Sequence, residues 1–471
     1  RFQYMEVSQN KIFNNKNGEL SATGRTTHCF ATPELKPISI KHSNPANFNL
    51  SPGETAEIMG HNKPVVYVYD ADIMQTAIQA LEICEHKPKL ILCVNNSKKE
   101  VTLPEGHIFF DDYIKDSSDE NPPVDYAPHI YDEVLRLQTS GTTGTPKGVP
   151  LNAINEVLSA HDVIMHFPLS PVDITMNMTP WFHRGGIHSG GPTPTLYAGA
   201  CLVIMRTFNP RSCMDFIEKY GITFITGVPS TLEMLANRQE KHQKNLSSLK
   251  GIITMGSPLE KAACIRYQEL LSPNIFNGYG TTESFWNTFL RPYDLPEMAG
   301  SAGRSCTDDE VRLVNVYDDR KAEPDDTVPC DNKTEGEIII KCPNKTTYCY
   351  VNNEKATKDK FYKGWMYTGD IGTWNSEQFV TVAGRKDDMI ISKGENIYPA
   401  RIEEILNSHP KVQECIVTGV PDSTRGECVA AYVIKADESL TVAELINFLH
   451  RLTRLCKAWS LTGCRTEMPV S

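Results

Sequence analysis

The sequence lacks three features that would place it in common classes of protein. Its 14 cysteines are scattered without a C-x-x-C pair, so they favour neither a zinc site nor a disulfide framework and indicate a reducing compartment. The net charge is -11, and lysine and arginine form no cluster along the sequence, which argues against nucleic acid as the main partner. No apolar run approaches the ~20 residues that a membrane helix needs. We expect a globular, cytoplasmic protein without an integral membrane segment.

The length of 471 residues exceeds what one hydrophobic core usually serves, so at least two domains are expected. From about residue 60 to residue 300, short apolar runs alternate with amphipathic stretches. Examples are VVYVYD at 65, TAIQALEIC at 76, KLILCV at 89, ITFITGVP at 222 and GIITMGSP at 251. This alternation predicts an α/β fold of βαβ-type subdomains, with ligand loops at the carboxyl ends of the strands.

The pattern changes after about residue 300. The pieces VRLVNVYDD, EGEIIIK and FVTVAGR are short and β-rich, which predicts a small antiparallel, barrel-like layer. A compact unit follows, in which IEEILNSHP and TVAELINFLHRL indicate helices while ECIVTGV and CVAAYVIK indicate strands. We therefore predict a large N-terminal domain over residues 1–386 and a small α+β C-terminal domain over residues 387–471.

The segment SGTTGTPKG at residues 140–148 has the composition of a phosphate-binding loop. Its glycines let backbone N–H groups converge, its hydroxyls are hydrogen-bond donors, and Lys147 supplies positive charge. It is not a Walker A loop, because Pro146 occupies the second glycine position and Gly148 follows the lysine. Taken alone, such a segment is also compatible with an ordinary surface turn.

This segment and four further segments occur in an order that resembles the adenylate-forming superfamily, which includes acyl-CoA synthetases, aryl-CoA ligases, luciferases and adenylation domains. The matching segments are SGTTGTPKG at 140–148, FNGYGTTES at 276–284, GEIIIK at 336–341, YTGD at 367–370 and GRKDDMIISKGENIYPARIEE at 384–404. The motifs are most similar to those of acyl- and aryl-CoA ligases. The resemblance implies an ATP-dependent, AMP-forming ligase with a small, mobile C-terminal domain.

Binding ATP requires an aromatic face, an acceptor for the ribose diol, donors for the phosphates and a carboxylate for Mg²⁺. Tyr279 could stack on adenine, Thr282 could bond the α-phosphate or the substrate carboxylate, and Glu283 could hold Mg²⁺. Asp370 suits the ribose hydroxyls, and Arg385 could bond ribose or phosphate. The predicted ATP- and AMP-binding residues are Thr139, Ser140, Gly141, Thr142, Thr143, Gly144, Lys147, Gly256, Ser257, Pro258, Gly278, Tyr279, Gly280, Thr281, Thr282, Asp370 and Arg385.

The segment TPWFHRGGIHSGG at residues 179–191 resembles the part of the family that lines the acid pocket. His183 occupies the position that often lines or gates this pocket, and no aspartate is present to face an amino-acid ammonium group. Aromatic residues here indicate an uncharged fatty or aryl acid, although they are also common as core residues. The predicted catalytic residues are Lys147, Thr282, Glu283 and His183, with Glu283 as the metal ligand.

The resemblance also implies the course of the reaction. The substrate carboxylate attacks the α-phosphate of ATP and releases pyrophosphate, and a thiol, by resemblance that of coenzyme A, then attacks the acyl-adenylate and expels AMP. A carrier-protein thiol or an oxygen acceptor stays open as an alternative. Asp387 matches the hinge about which the small domain rotates, and Lys393 and Gly394 match the turn that faces coenzyme A.

Two departures from the family pattern stand out. Residues 1–41 do not align with the family, and the segment LTGCR places Cys464 where the family carries a lysine for adenylation. Losing a cation at a developing phosphate charge predicts weak adenylation. The alternative function is therefore a degenerate member that binds nucleotide or acyl-adenylate without efficient catalysis. The oligomeric state is left open.

Overall fold

The computed structural model describes most of the chain. The described residues are 43–96, 100–116, 129–139, 146–257, 259–317, 319–392, 395–422 and 426–452, together with the backbone of four short strands before residue 43.

The helices are α1 (Pro52–Asn62), α2 (Met74–Ile83), α3 (Phe110–Ile114), α4 (Ala153–His166), α5 (Arg184–His188), α6 (Pro192–Tyr197), α7 (Pro210–Tyr220), α8 (Pro229–Lys241), α9 (Lys261–Leu270), α10 (Glu354–Lys360), α11 (Pro399–Asn407) and α12 (Val442–Leu452). The first strands are β1 (Lys11–Phe13), β2 (Leu20–Thr23), β3 (Phe30–Thr32), β4 (Leu35–Ile38), β5 (Val66–Asp70), β6 (Leu90–Val94), β7 (His107–Phe109), β8 (Glu133–Thr139), β9 (Lys147–Asn152), β10 (Ile174–Asn177), β11 (Cys201–Val203), β12 (Phe224–Gly227) and β13 (Gly251–Met255). They are followed by β14 (Ile275–Thr281), β15 (Phe285–Leu290), β16 (Arg304–Ser305), β17 (Glu310–Val314), β18 (Gly336–Lys341), β19 (Phe361–Tyr362), β20 (Trp365–Trp374), β21 (Val380–Arg385), β22 (Ile390–Ser392), β23 (Glu395–Ile397), β24 (Val412–Asp422) and β25 (Gly426–Lys435).

The largest sheet has nine strands in the order β16-β15-β14-β13-β12-β10-β11-β1-β2. The pairs from β14 to β1 are parallel, whereas β15, β16 and β2 run antiparallel to their neighbours. Every residue of β12 and β13 is buried, as expected for strands covered on both faces. Helices α8 and α9 pack on β13 and β14. The sheet confirms the predicted α/β fold of βαβ-type units.

Local sequence explains where the helices of this sheet begin and end, and α7 is the clearest case. The Asn209 side chain accepts a hydrogen bond from the backbone N–H of Ser212 at 3.0 Å, and Pro210 occupies the first turn. Gly221 ends the helix in the left-handed conformation, at φ 63°. Ile217 on the inner face is fully buried in the main core. Both ends of α7 are therefore encoded by neighbouring residues.

Four smaller sheets complete the large domain, and the first is the antiparallel pair β3–β4. Strands β5, β6 and β7 form a parallel sheet against which α2 packs, and α2 packs on α1 in turn. Strands β8 and β9 form an antiparallel hairpin. Strands β17, β18, β20, β19 and β21 form an antiparallel sheet, which confirms the predicted layer between residues 300 and 385.

The last described segment is a separate α+β unit. Its sheet has the order β23-β22-β25-β24, and α11 packs on β24. Its core contains only residues between 390 and 449, among them Leu406, Val417 and Leu449. The two-domain fold is therefore confirmed, whereas the boundary at 387 stays a prediction. Among the described residues, no helix combines the length and apolar character needed to cross a membrane.

Candidate active site

A cavity of about 1270 Å³ opens between the main sheet and the antiparallel layer. The main sheet contributes the residues that follow the carboxyl ends of β13 and β14, where ligands of α/β sheets usually bind. The antiparallel layer contributes residues of β20 and β21. The sequence-predicted residues that line the cavity are Thr139, Lys147, His183, Gly256, Gly278, Gly280, Thr281, Thr282, Glu283, Asp370, Arg385 and Asp387.

The turn between β14 and β15 presents Thr282 and Glu283 to the cavity. A Cβ added at Gly280 would lie 1.5 Å from the carbonyl oxygen of Phe285, so only glycine permits this close approach of the two strands. The buried hydroxyl of Ser284 donates to Oδ1 of Asn287 at 2.5 Å and closes the turn. The GYGTTES segment therefore forms a rigid platform at the edge of the parallel sheet.

Glu283 is the buried carboxylate of this platform, with 5% of its surface exposed. Its Oε1 accepts a hydrogen bond from the hydroxyl of Tyr350. Burial alone would raise the pKa of Glu283, but the charge of Lys360 and the hydrogen bond from Tyr350 outweigh it, and the pKa lies below its usual value. An ionised carboxylate that lines the cavity is the kind of hard oxygen ligand that Mg²⁺ prefers, so this residue fits the ion.

Asp370 lies on the opposite wall and is 7% exposed. The hydroxyl of Tyr279 donates to its Oδ2 at 2.6 Å, and Nη1 of Arg385 donates to its Oδ1 at 3.0 Å. A carboxylate has about four acceptor positions, so these two bonds leave capacity for a ribose diol. Tyr279 itself is not among the residues that line the cavity, and burial raises its pKa well above the ordinary value. Adenine stacking on Tyr279 stays a prediction.

The predicted phosphate loop is described only at its two ends. Thr139 pairs with Lys147 across the β8–β9 hairpin, and both residues line the cavity. The ammonium of Lys147 lies 5.6 Å from the centroid of the Tyr350 ring. Ser140, Gly141, Thr142, Thr143 and Gly144 fall outside the described residues, and so does Pro258. The hairpin therefore places Lys147 at the cavity.

The loop after β13 and the predicted acid-pocket segment lie on one side of the cavity. Gly256 is exposed and takes φ 81°, a conformation that glycine adopts without strain, and Ser257 beside it is exposed but does not line the cavity. His183 is exposed at the cavity, with its ring 4.4 Å from that of Phe182. A Cβ at Gly185 would lie 2.7 Å from Cε of Met255, so the two segments touch.

Arg184 is a site residue that the sequence reasoning did not identify. It is 3% exposed and donates to the carbonyl oxygen of Thr282 at 2.8 Å and to that of Lys345 at 2.7 Å. Burial lowers the pKa of its guanidinium to about 10. A charged residue inside an otherwise apolar and glycine-rich segment was the available signal. Its contacts hold the main chain of Thr282 in place.

Tyr350 and Lys360 were also missed, although both line the cavity. Lys360 donates from Nζ to the carbonyl oxygen of Thr368, at 2.8 Å, in strand β20, which carries Asp370. Tyr350 lies in no glycine-rich or charged motif, and Lys360 is one of several charged residues of EKATKDK, so only their place between the GEIIIK and YTGD segments could have drawn attention to them. Asp387 is exposed at the rim of the cavity. Lys393, Gly394 and Cys464 lie outside the described residues.

Two family models match the chain. Residues 43–350 match the model of the AMP-binding enzyme family, and residues 401–461 match that of the C-terminal domain of the same enzymes. The first match covers the large domain up to Tyr350, and the second covers most of the small domain. The first match includes the SGTTGTPKG, FNGYGTTES and GEIIIK segments.

Named relatives support the same assignment, and a solved structure shows the same fold. An indoleacetate–CoA ligase of Aromatoleum aromaticum is 35% identical over 332 residues, which cover 70% of this chain and 62% of that protein. A long-chain-fatty-acid–CoA ligase of Escherichia coli is 32% identical over 71% of this chain and 58% of that protein, so the chain spans less than two thirds of either relative. The structure of the anthranilate CoA ligase AuaEII in complex with anthranoyl-AMP shares the fold, with a TM-score of 0.77, 23% identity and coverage of 90% of this chain and 79% of that chain. The chain belongs to the family of AMP-binding enzymes, as its resemblance to the adenylate-forming superfamily predicted.

Proposed function

We propose that this chain is an ATP-dependent, AMP-forming carboxylic acid:CoA ligase that activates a fatty or aryl acid. The observation that carries the proposal is the meeting of Lys147, Glu283 and Asp370 around one cavity. These side chains suit phosphate, a magnesium ion and ribose, respectively. The similarity to CoA ligases of indoleacetate and of long-chain fatty acids supports the choice of acid and of thiol.

In the first half-reaction, the main role of the protein is to place the acid carboxylate in line with the α-phosphate. The β14–β15 turn places Thr282 beside the α-phosphate that is transferred, and Lys147 neutralises the departing pyrophosphate. Glu283 would hold Mg²⁺, which supplies charge neutralisation at the phosphates when bound. Asp370 and Arg385 orient the ribose. No protein nucleophile is required.

In the second half-reaction, the thiol of coenzyme A attacks the acyl carbon and the bound AMP leaves. We propose that the small domain turns about Asp387 and that Lys393 and Gly394 face the thiol substrate. The acid would enter beside His183. Gly186 nearby lets the protein backbone pack closely against Pro180, because a Cβ at Gly186 would lie 1.9 Å from the Pro180 carbonyl oxygen.

The test is pyrophosphate exchange into ATP with a panel of fatty and aryl acids, followed by AMP release when coenzyme A is added. We expect at least one acid to stimulate exchange and coenzyme A to convert the adenylate to a thioester. Lys147→Met should lower the exchange rate by ~100-fold, because a cation at the developing phosphate charge is lost. Lys341→Met, which removes an exposed lysine paired with Glu310, is the control and should exchange normally.

No exchange with any acid would contradict the proposal. Tight binding of a stable acyl-adenylate mimic without exchange would instead indicate a binding protein. AMP release with a carrier-protein thiol but not with coenzyme A would support the adenylation step and show that the acceptor is the carrier protein.

We also propose that the protein works in the cytoplasm. The described residues contain 11 free cysteines, eight of them buried, which suits a reducing compartment. Cell fractionation with an antibody to the protein would test this, and recovery in an oxidising compartment would contradict it.

A further inference from the structure

Tyr350 occupies a fixed place between the phosphate-loop hairpin and helix α10. It is 6% exposed, and its backbone N–H donates to the hydroxyl of Thr357 in α10 at 3.0 Å. The backbone N–H of the next residue, Val351, donates to the carbonyl oxygen of Gly148 in β9 at 2.9 Å. The hydroxyl of Thr347 bonds the same strand at Pro150, at 2.8 Å. The tyrosine is therefore anchored to the strand that leads out of the predicted phosphate loop.

The side chain of Tyr350 contacts two proposed ATP-binding groups at once. Its hydroxyl donates to Oε1 of Glu283, and the ammonium of Lys147 lies 5.6 Å from its ring centroid. A cation at this distance from an aromatic face is attracted to it. The hydroxyl also satisfies a carboxylate oxygen that is buried from water, which keeps the carboxylate in one orientation.

We propose that Tyr350 is a positioning residue for ATP and its magnesium ion, whose hydroxyl orients the Glu283 carboxylate while its ring orients the Lys147 ammonium. This inference rests on the proposed function, because it assigns Tyr350 to the same ATP site. The two contacts act at different groups. The hydroxyl serves the residue that would hold the metal, and the ring serves the residue that meets the phosphates.

Because the hydroxyl and the ring contact different groups, the positioning role of Tyr350 can be distinguished from a purely structural role. Tyr350 also belongs to a buried cluster with Leu137, Val149 and Leu151, so its loss could simply loosen the hairpin. The substitution Tyr350→Phe keeps the ring and its packing and removes only the hydroxyl. The structural role predicts little change in that variant, whereas the positioning role predicts a loss that depends on magnesium.

The experiment measures the dissociation constant of ATP by calorimetry, with Mg²⁺ and again with EDTA, for the wild-type chain and Tyr350→Phe. We expect the gain in affinity that Mg²⁺ provides to fall about tenfold in Tyr350→Phe, the size of one hydrogen bond to a charged group. Affinity in EDTA should stay within about twofold of wild type, because the ring still faces Lys147. In pyrophosphate exchange, KM for MgATP should rise more than kcat falls.

Two further variants complete the design. Tyr350→Leu removes the ring together with the hydroxyl, so it should weaken ATP binding in EDTA and weaken it further in Mg²⁺. Tyr362→Phe is the matched control, since its hydroxyl bonds Glu323 and the residue does not line the cavity, and it should bind ATP as the wild type does.

Wild-type binding by Tyr350→Phe in both conditions would overturn the inference, as would an equal loss in EDTA and in Mg²⁺. Wild-type protein that binds MgATP and exchanges pyrophosphate confirms the proposed function whatever Tyr350→Phe does. Wild-type protein that binds no ATP overturns both proposals.

Discussion

At the scale of single residues, buried charges behind the candidate active site hold the β14–β15 turn in place. Lys345 is 2% exposed, and its ammonium donates to Oδ2 of Asp162 and to Oδ2 of Asp309, both at 2.8 Å. It also donates to the carbonyl oxygen of Trp286 in β15. Burial raises the pKa of Asp309 to about 6, although the nearby ammonium of Lys345 opposes this shift. One lysine thus bridges two carboxylates inside the protein.

Lys345→Met should destabilise the protein strongly, because it leaves two carboxylates buried without their cation. Breaking a buried ion pair in this way typically costs about 3–5 kcal/mol of unfolding free energy. Urea unfolding monitored by circular dichroism would measure the loss. Lys363→Met is the control, since that lysine is exposed and pairs with exposed Glu323, and it should cost about 0–1 kcal/mol. Equal stabilities for the two variants would contradict the prediction.

Gly280 provides a second prediction at this scale. Gly280→Ala places a Cβ 1.5 Å from the carbonyl oxygen of Phe285, so the strands must separate and the turn that carries Glu283 must move. We expect a loss of more than about 3 kcal/mol or a failure to fold, and loss of ATP binding in any folded protein. Thermal unfolding and calorimetry would measure both effects. Gly53→Ala, where nothing lies within 4 Å of the added Cβ, should be close to neutral.

At the scale of elements, the start of β10 is tied to the start of β13 by one buried carboxylate. Asp173 is 1% exposed, its Oδ1 accepts from Nζ of Lys250 at 2.6 Å, and its Oδ2 accepts from the backbone N–H of Ser170 at 2.8 Å. Burial acts to raise the pKa of Asp173, but these hydrogen bonds outweigh it and the pKa is below its ordinary value of 3.8. The loop before β10 therefore depends on an ionised aspartate.

The sign of this shift sets the pH dependence of stability. A carboxyl group whose pKa is lower in the folded state stabilises the protein above its unfolded-state pKa, and the contribution is lost as pH falls through the folded-state pKa. Asp173→Asn should therefore lower the melting temperature at pH 7, and the difference from wild type should shrink as pH falls below 3.8. Melting curves of both proteins between pH 7 and pH 3 would show this. A difference that stays constant with pH would contradict it.

At the scale of the whole molecule, the two domains have separate cores. The core of the small domain contains only residues between 390 and 449, whereas the described residues that line the cavity precede residue 388. A ligand that binds one folded unit stabilises that unit by mass action, by about 2.7 kcal/mol at 100 times its Kd. The proposed ATP site should therefore affect the two units differently.

Scanning calorimetry should show two transitions, of which MgATP raises only the one that belongs to the large domain. The physical reason is that ATP contacts the large domain in the proposed site, while the small domain keeps its own core. Asp370→Ala should abolish most of the shift without removing the second transition. A single transition that moves as a whole would show that the domains unfold together.

Much of the fold follows from the sequence alone. Continuous apolar runs mark β12 and β13, and periodic patterns with caps mark α7 and α12, because these signals depend on neighbours within a few residues. The GYGTTES, YTGD and GRKDD segments identify the proposed ATP site through their order. The residue types in these segments indicate ATP binding without knowledge of any contact. These strands and helices, and the family, were therefore predictable.

Only the tertiary structure decided which side chains meet. Tyr350 is 67 residues from Glu283 in sequence, and Lys345 is 183 residues from Asp162, yet each pair is joined by a hydrogen bond. Arg184 likewise bonds the carbonyl oxygen of a residue 98 positions away. Local patterns carry no information on such pairs, because packing of distant elements places them together. Residue types and their order along the chain determined the proposed chemistry, and long-range packing determined which buried residues support it.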